Sequence, residues 1–573
     1  MSKKWICVFS TLCIVLCIST ACRKHEDSNN TAKVYGAMTT LDRTIVPDVV
    51  PVNVNEPKAI KPWSIDSFEI YGYGKWHYGP GDPCLKRLQL MPSGYTGATA
   101  TNSTELLNFF TLTDIHIMDK ETPTQAIFYS FLPYMWPNVI SCYAPAMLYT
   151  TQTLDAAVRT INSLQKNKKF DFGLALGDMA NSSQYNETRW FIDVMDGKYI
   201  NPDSGVKDDP IPGPGNDYQD QFQAAGLDKS IPWYATLGNH DHFLIGAALY
   251  TTRIKNSSTG SAIVRLGNLV FQPATALEDE KYQMGTIDGS TRYGTIIGAD
   301  SIVSTTFFPV IPADPDRRVL DKEEMRAEFF NTTTLPTGHG FNCTTTLPGC
   351  YTFEPKSDLP IRVIVLDDTE EDDDIPPYGS WANGSLENGR FEWLTAQLDA
   401  GQQDGKLMII AAHVPIGVEP ALSYLAWYPS KDKEDEIIDA LRQHPNVIMW
   451  TAGHLHRSMV TAFPSKDPDH PENGFWEVET KSLREFPQQF RTFRIVSNLD
   501  NTLSIFVTNV DPDVSNNPLA ATARSYAIAG SQLYGILNGM MQQDQMGKNY
   551  ELIVPLSPEM QTKIKAYRTK GGK

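Results

Sequence analysis

No Cys-x-x-Cys pair occurs in the 573 residues, which excludes the zinc ribbons and dithiol redox motifs that need that spacing. No EF-hand spacing is present, and no segment recurs at a fixed period, so solenoids and propellers are excluded too. Basic charge is in deficit: 49 Lys and Arg face 67 Asp and Glu, a formal net charge of −18. Gripping a nucleic-acid backbone over a broad face needs clustered cations, so broad nucleic-acid binding is not expected. Long apolar runs are scarce as well, and the stretch Trp5 to Ile18 is too short to span a bilayer comfortably. What remains, 41% hydrophobic and 20% charged, is the composition of a globular protein able to bury a large core.

The short apolar stretch has a telling context. Lys3 and Lys4 precede it and Ser19-Thr-Ala-Cys22 follows, giving the charged, apolar and small-residue parts of an export signal over residues 1–21. Small residues followed at once by Cys22 resemble a bacterial lipoprotein signal, which implies lipidation at Cys22 and a membrane anchor in the periplasm or at the cell surface. Without lipidation the chain would be secreted. Loss of the leader removes only Lys3 and Lys4, so the net charge moves from −18 to −20. Cys7, Cys13, Cys17 and Cys22 belong to this segment, and Cys84, Cys142, Cys343 and Cys350 do not. Cys343 and Cys350 enclose a Thr-rich turn with Pro-Gly and are the pair expected to form a disulfide in an oxidising compartment.

Residues 22–103 read as a tether and leading segment, polar and irregular to about residue 60. From residue 104 strand-like and helical patterns alternate. Strands are predicted over 106–113, 172–176, 231–237, 361–366, 407–412 and 447–450, with amphipathic helices marked by Leu154, Val158, Ile161 and Leu164, by Trp190 to Met195, by Phe391, Leu394 and Leu398, and by Ile437 and Leu441. This order predicts an α/β layered domain over 104–510. Three strand-like runs without intervening helices, 475–478, 490–496 and 503–507, predict a second, more antiparallel sheet. Residues 243–360, rich in Thr, Gly and Pro, read as an insertion or lid. Residues 511–573 read as a C-terminal extension with a helix over 518–545.

Polar clusters fall just past the predicted strands: Asp114-Ile-His116, Gly177-Asp178, Gly238-Asn239-His240-Asp241, His413 and Gly453-His454-Leu-His456. That edge of an α/β sheet is where ligands bind. Alone, each cluster is more often a cap or a hydrogen-bonded turn, and a lone His413 more often a satisfied core histidine. Together they form a set of hard and borderline ligands able to hold two divalent cations.

The order of these five blocks resembles the calcineurin-like metallophosphoesterases over about residues 104–500. The resemblance implies a four-layered α/β/β/α sandwich and a centre of two divalent ions, Mn, Fe or Zn. It implies one metal held by Asp114, His116, Asp178 and His456, and another by Asp178, Asn239, His413 and His454. His116 sets the chain apart from the purple acid phosphatase branch, which carries a metal-bound tyrosine. Two cations about 3.5–4 Å apart acidify a shared water and clamp the phosphoryl oxygens during in-line attack. By the same resemblance His240 assists the leaving group of a small phosphoester, and Asp241 orients His240 and raises its pKa. Arg457 and Arg484 are candidate substrate contacts, with surface ion pairing as the other reading. His242 is assigned no role. The acidic run Asp367 to Asp374 reads as a solvated, self-repelling loop, and aromatic segments at 131–136 and 424–428 as groove walls or core. Two other functions stand beside phosphoester hydrolysis: a pyrophosphatase acting on nucleotides or lipid-linked pyrophosphates, and a non-catalytic, metal-stabilised binding lipoprotein.

Overall fold

The computed structural model describes residues 39–48, 60, 64–125, 144–206, 209–262, 287–296, 310–341, 347–376, 381–417, 427–533 and 547–570. The leader with Cys22, the aromatic segment 131–136, and Cys142 and Cys343 lie outside the described residues. Among the described residues no helix is long and apolar enough to cross a membrane.

Two mixed sheets carry the fold. In chain order their strands are β1 (Cys84–Arg87), β2 (Asn102–Leu112), β3 (Phe172–Leu176), β4 (Trp233–Thr236), β5 (Tyr351–Phe353), β6 (Ile361–Val365), β7 (Leu407–Ala411), β8 (Val447–Ala452), β9 (Val460–Phe463), β10 (Phe475–Glu479), β11 (Phe490–Asn498), β12 (Leu503–Val510) and β13 (Asn549–Val554). The seven-stranded sheet runs β1-β13-β12-β11-β2-β3-β4, and the six-stranded sheet β9-β10-β8-β7-β6-β5. Strands β2, β3 and β4 are mutually parallel, as are β6, β7, β8 and β10. The apolar runs that mark β3, β7 and β8 are what strands covered on both faces require, and every residue of the three is buried.

The sheets share one apolar core. Phe109 of β2 stacks between Phe172 of β3 and Phe493 of β11, with both centroid separations 4.7 Å. Gly173 makes room for a neighbouring ring, since a Cβ there would lie 2.2 Å from Phe110. Between the sheets the rings of Tyr234 and Phe353 stack at 3.7 Å, and Trp476 Nε1 donates to the Ile553 carbonyl at 3.1 Å. Helices α1 (Thr150–Asn167) and α2 (Tyr185–Asp196) add Leu154, Val158, Phe191 and Ile192 to this core. Helices α3 (Arg390–Asp404) and α4 (Lys431–Arg442) place Leu394, Leu398, Ile437 and Leu441 against Ile364, Ile410 and Trp450 of the six-stranded sheet.

Several sequence expectations are corrected or refined. The antiparallel runs do not form a sheet of their own: β11 and β12 extend the seven-stranded sheet, while β10 joins the other in parallel. The C-terminal region is more than a helical extension, because β13 inserts between β1 and β12, after α5 (Pro518–Leu533). The stretch 243–360, expected as an insertion or lid, contributes to the body through its described part, since Leu320, Met325, Phe329 and Phe341 pack into the shared core and β5 edges a sheet. The expected Cys343–Cys350 pair falls on Cys343, outside the described residues; Cys350 is a buried thiol, 1% exposed, and burial pushes its pKa up to about 12. The tether also ends sooner than its composition suggests, for Arg43–Pro47 pairs with Trp76–Pro80.

Phe109→Ala should destabilise the fold by about 3–5 kcal/mol, read as a lower midpoint in urea unfolding, because it opens a cavity across three strands. An unchanged midpoint would show that the stack adds nothing to the core.

Candidate metal centre

The parallel strands deliver the expected side chains to one edge. Asp114 and His116 follow β2, Asp178 follows β3, Asn239 to Asp241 make a single 3-10 turn after β4, His413 follows β7, and His454 and His456 follow β8. All seven expected ligands are brought together. Asp114, His116, Asp178 and His456 are buried, with ligand atoms within 4.8 Å of one another. His456 Nε2 lies 3.0 Å from Asp114 Oδ1 and 3.3 Å from His116 Nε2. Asn239, His413 and His454 converge beside them: Asn239 Oδ1 lies 2.9 Å from His413 Nε2 and 3.0 Å from His454 Nδ1. Asp178 belongs to both groups, with Oδ2 3.6 Å from His116 Nε2 and Oδ1 3.5 Å from His413 Nε2.

The outward hydrogen bonds show what the inward atoms need. Asn239 Nδ2 donates to the Gly246 carbonyl at 2.8 Å, which turns its oxygen inward. His413 Nδ1 donates to the Leu176 carbonyl at 2.7 Å and His456 Nδ1 to Glu485 Oε1 at 2.9 Å, so in each neutral ring the inward nitrogen is a bare lone pair. Asp114 Oδ2 accepts from Thr113 Oγ1 and the His454 amide, leaving Oδ1 to face His456. Acceptors facing acceptors at these distances require positive charge between them. In the metal-free chain protons supply it. Burial opposes charge on His413 and His456, but Asp178 beside the first and Glu485 and Asp114 beside the second prevail, raising them to about 10 and about 9. The donor set therefore fits divalent cations of the Mn, Fe and Zn class.

Local backbone serves this edge at a cost. Asp114, His116, Asp178, His454 and His456 all hold left-handed φ values, between 49° and 66°, each costing roughly 1–2 kcal/mol for an L-residue. The glycine of the third block is a matter of space: a Cβ at Gly238 would lie 2.2 Å from Asp178 Oδ1. Gly246, at φ +68°, is equally constrained, because a Cβ would lie 2.5 Å from His240 Nε2.

His240 lies beside the donor group, its ring edge-on to His116 with centroids 4.4 Å apart. The part expected of Asp241 is corrected. The fully buried Asp241 carboxylate accepts from the backbone amides of Met179, Ala180 and Gly238, at 2.9–3.0 Å. His240 Nδ1 is instead held by the Asn181 carbonyl at 2.7 Å, and burial lowers the His240 pKa against the pull of Asp178. Neighbours in the chain diverge here because the tight turn points the carboxylate back at the β3 loop. His242 Nε2 meets Asp372 Oδ1 at 2.9 Å, away from the seven ligands.

The acidic run is also corrected. Asp367, Asp368, Glu370 and Asp374 are buried, and Asp368 accepts from the amides of His413 and Val414 at 2.9 and 2.8 Å, fixing the turn that carries a ligand. Its placement just after β6 was the signal that composition hid. Glu485 was missed as well, and only spatial proximity to His456 identifies it. Arg484 is 2% exposed; it reaches Glu485 Oε2 at 3.4 Å, while its Nε and Nη1 are buried without a hydrogen-bond partner. Arg457 Nε lies 3.6 Å from Glu479 Oε2. Trp427 packs near Trp450 and donates to the Pro415 carbonyl at 2.8 Å, which makes it core rather than a groove wall.

No protein-family model and no curated protein matches the chain. Among solved structures it is similar to a dimetal phosphatase from Danio rerio, with 12% identity over 72% of this chain and 100% of the other, at a TM-score of 0.36. It is also similar to a Staphylococcus aureus protein provisionally named a 5'-nucleotidase, with 11% identity over 73% of this chain and 57% of the other, at a TM-score of 0.28.

Because His413 and His456 titrate at about 10 and about 9 in the metal-free chain, both are protonated at neutral pH. Filling the centre should release about two protons, and metal affinity should fall as pH drops below those values. Calorimetry at pH 7.5 in buffers of different ionisation enthalpy measures this, and a buffer-independent enthalpy would contradict it. Glu485→Gln should weaken metal binding about 10–100-fold, read by competition with a chelating dye.

Proposed function

We propose that the chain is an exported, metal-dependent phosphoester hydrolase of the calcineurin-like metallophosphoesterase type, its two sheets and flanking helices forming the four-layered α/β/β/α sandwich. The observation that carries this reading is the placement of Asp178, whose Oδ2 faces the Asp114, His116 and His456 group and whose Oδ1 faces the Asn239, His413 and His454 group. A carboxylate spanning two donor sets is suited to holding two ions side by side. When bound, divalent cations there supply Lewis acidity toward phosphoryl oxygens and a water acidified to near neutral pKa.

The chain supplies the rest. Asn239 contributes a neutral oxygen, which limits the negative charge gathered at the centre. His240, its Nδ1 proton held on the Asn181 carbonyl, would protonate the leaving oxygen through Nε2 in the imidazolium form, which burial disfavours and the Asp178 carboxylate favours. Arg484 offers two buried N–H groups, from Nε and Nη1, to an anionic substrate close to the imidazoles, and Arg457 provides a second cation beside the Gly-His-Leu-His segment. The substrate is a small phosphodiester or phosphomonoester. Lipidation of Cys22 would hold the enzyme at a membrane surface.

Purified chain loaded with Mn²⁺, Fe²⁺ or Zn²⁺ should hydrolyse bis-p-nitrophenyl phosphate or p-nitrophenyl phosphate, and Asp178→Asn should reduce turnover to background. Absence of turnover on diesters, monoesters and pyrophosphates by a chain holding two metals would sink the enzyme reading in favour of a binding lipoprotein. Turnover of pyrophosphates alone would favour a pyrophosphatase. His240→Ala should lower kcat about 10²–10⁴-fold with metal content retained. Loss of metal from that variant would make His240 a ligand instead.

A further inference from the structure

A second group of oxygen donors lies outside the seven ligands, on the segment between α2 and β4. Asp209, Asp217 and Asp220 each offer a carboxylate oxygen, and these atoms lie within 4.8 Å of one another. Asp217 and Asp220 are 0% and 3% exposed. We propose that this loop binds one calcium ion through Asp209, Asp217 and Asp220.

Unmet demand is the first support. Asp217 Oδ1 accepts from the Gln219 amide at 2.9 Å, but its Oδ2 is buried and has no hydrogen-bond partner. Asn216 Oδ1, on the adjoining residue, is equally shielded and without a partner. A carboxylate oxygen buried in that state is costly unless a cation compensates it. No Lys or Arg among the described residues forms an ion pair with any of the three acids. Lys120, the nearest cationic influence on Asp217, has its ammonium on the Pro202 carbonyl at 2.6 Å and on Glu121 Oε2 at 3.2 Å. Burial and the charges of Asp220 and Asp209 push the Asp217 pKa up to about 6 against the Gln219 amide, so the metal-free cluster resists full ionisation.

The chemistry selects the ion. Every donor is an oxygen, with no imidazole or thiolate, which favours a hard cation over zinc or iron. The donors come from an irregular loop containing Pro210, Pro212, Gly213, Pro214 and Gly215, and calcium tolerates irregular coordination where magnesium demands a near-ideal octahedron. A cavity of about 480 Å³ borders the loop at Pro214, Gly215 and Asp220. Tyr218, held between two of the ligands, donates its hydroxyl to the Thr291 carbonyl at 2.8 Å. Calcium would thus also tie down segment 287–296.

The test uses the full chain with Mn²⁺ already bound, titrated with CaCl₂ and followed by ⁴⁵Ca equilibrium dialysis and thermal unfolding. One calcium per chain should bind, and at about 100 times Kd the unfolding midpoint should rise by about 3 °C. Asp217→Asn and Asp220→Asn should each abolish the calcium and the shift while keeping manganese content and phosphoesterase turnover. Asp178→Asn should keep the calcium-dependent shift. Undiminished calcium binding in both loop variants, or none in the wild type, would overturn the proposal. An equal shift with MgCl₂ would overturn the assignment to calcium.

Discussion

Acceptor atoms held against one another are the constraint on which this structure turns. Asp114, His116, Asp178 and Asn239 come from the seven-stranded sheet, and His413, His454 and His456 from the six-stranded one. Neither sheet holds a complete donor group by itself. The apolar core fastens the sheets through their middles, by contacts such as Tyr234 on Phe353. Their ligand-bearing edges, by contrast, carry carboxylates and lone pairs that repel unless positive charge lies between them. Left-handed backbone at five ligand positions adds to what that charge must offset.

Around this centre runs a second ring of carboxylates turned toward backbone amides and a ring nitrogen of the donor groups. Asp241 gathers three amides of the β3 and β4 turns, Asp368 gathers two of the β7 turn, and Glu485 orients the His456 ring. Each spends its charge on N–H groups whose positions decide where a ligand points. Preorganisation of this kind is how a site made from turns is kept rigid.

Much of the fold and the seven residues of the candidate centre could be read from sequence, for one physical reason. Parallel strands buried on both faces must be short continuous apolar runs, and their ligands sit within a few residues of where each run stops. The run at 172–176 coincides with its strand to the residue, and the run at 407–412 exceeds its strand by one residue. What could not be read were relations across space. Composition does not distinguish Asp368, buried on two amides, from Asp372, which is 76% exposed. Adjacency of His240 and Asp241 suggested a pair that the turn geometry separates. Strand β13 escaped notice because its sheet partners, β1 and β12, lie far from it or across helix α5 in sequence.

Asp178 and His240 hold each other's loops. Asp178 Oδ1 accepts from the His240 amide at 2.8 Å, while His240 Nδ1 donates to the carbonyl of Asn181, three residues beyond Asp178. The spanning carboxylate and the imidazole therefore form one mechanical unit. A displacement of the Asp178 side chain would carry the His240 backbone and, through the Asn181 carbonyl, its ring with it.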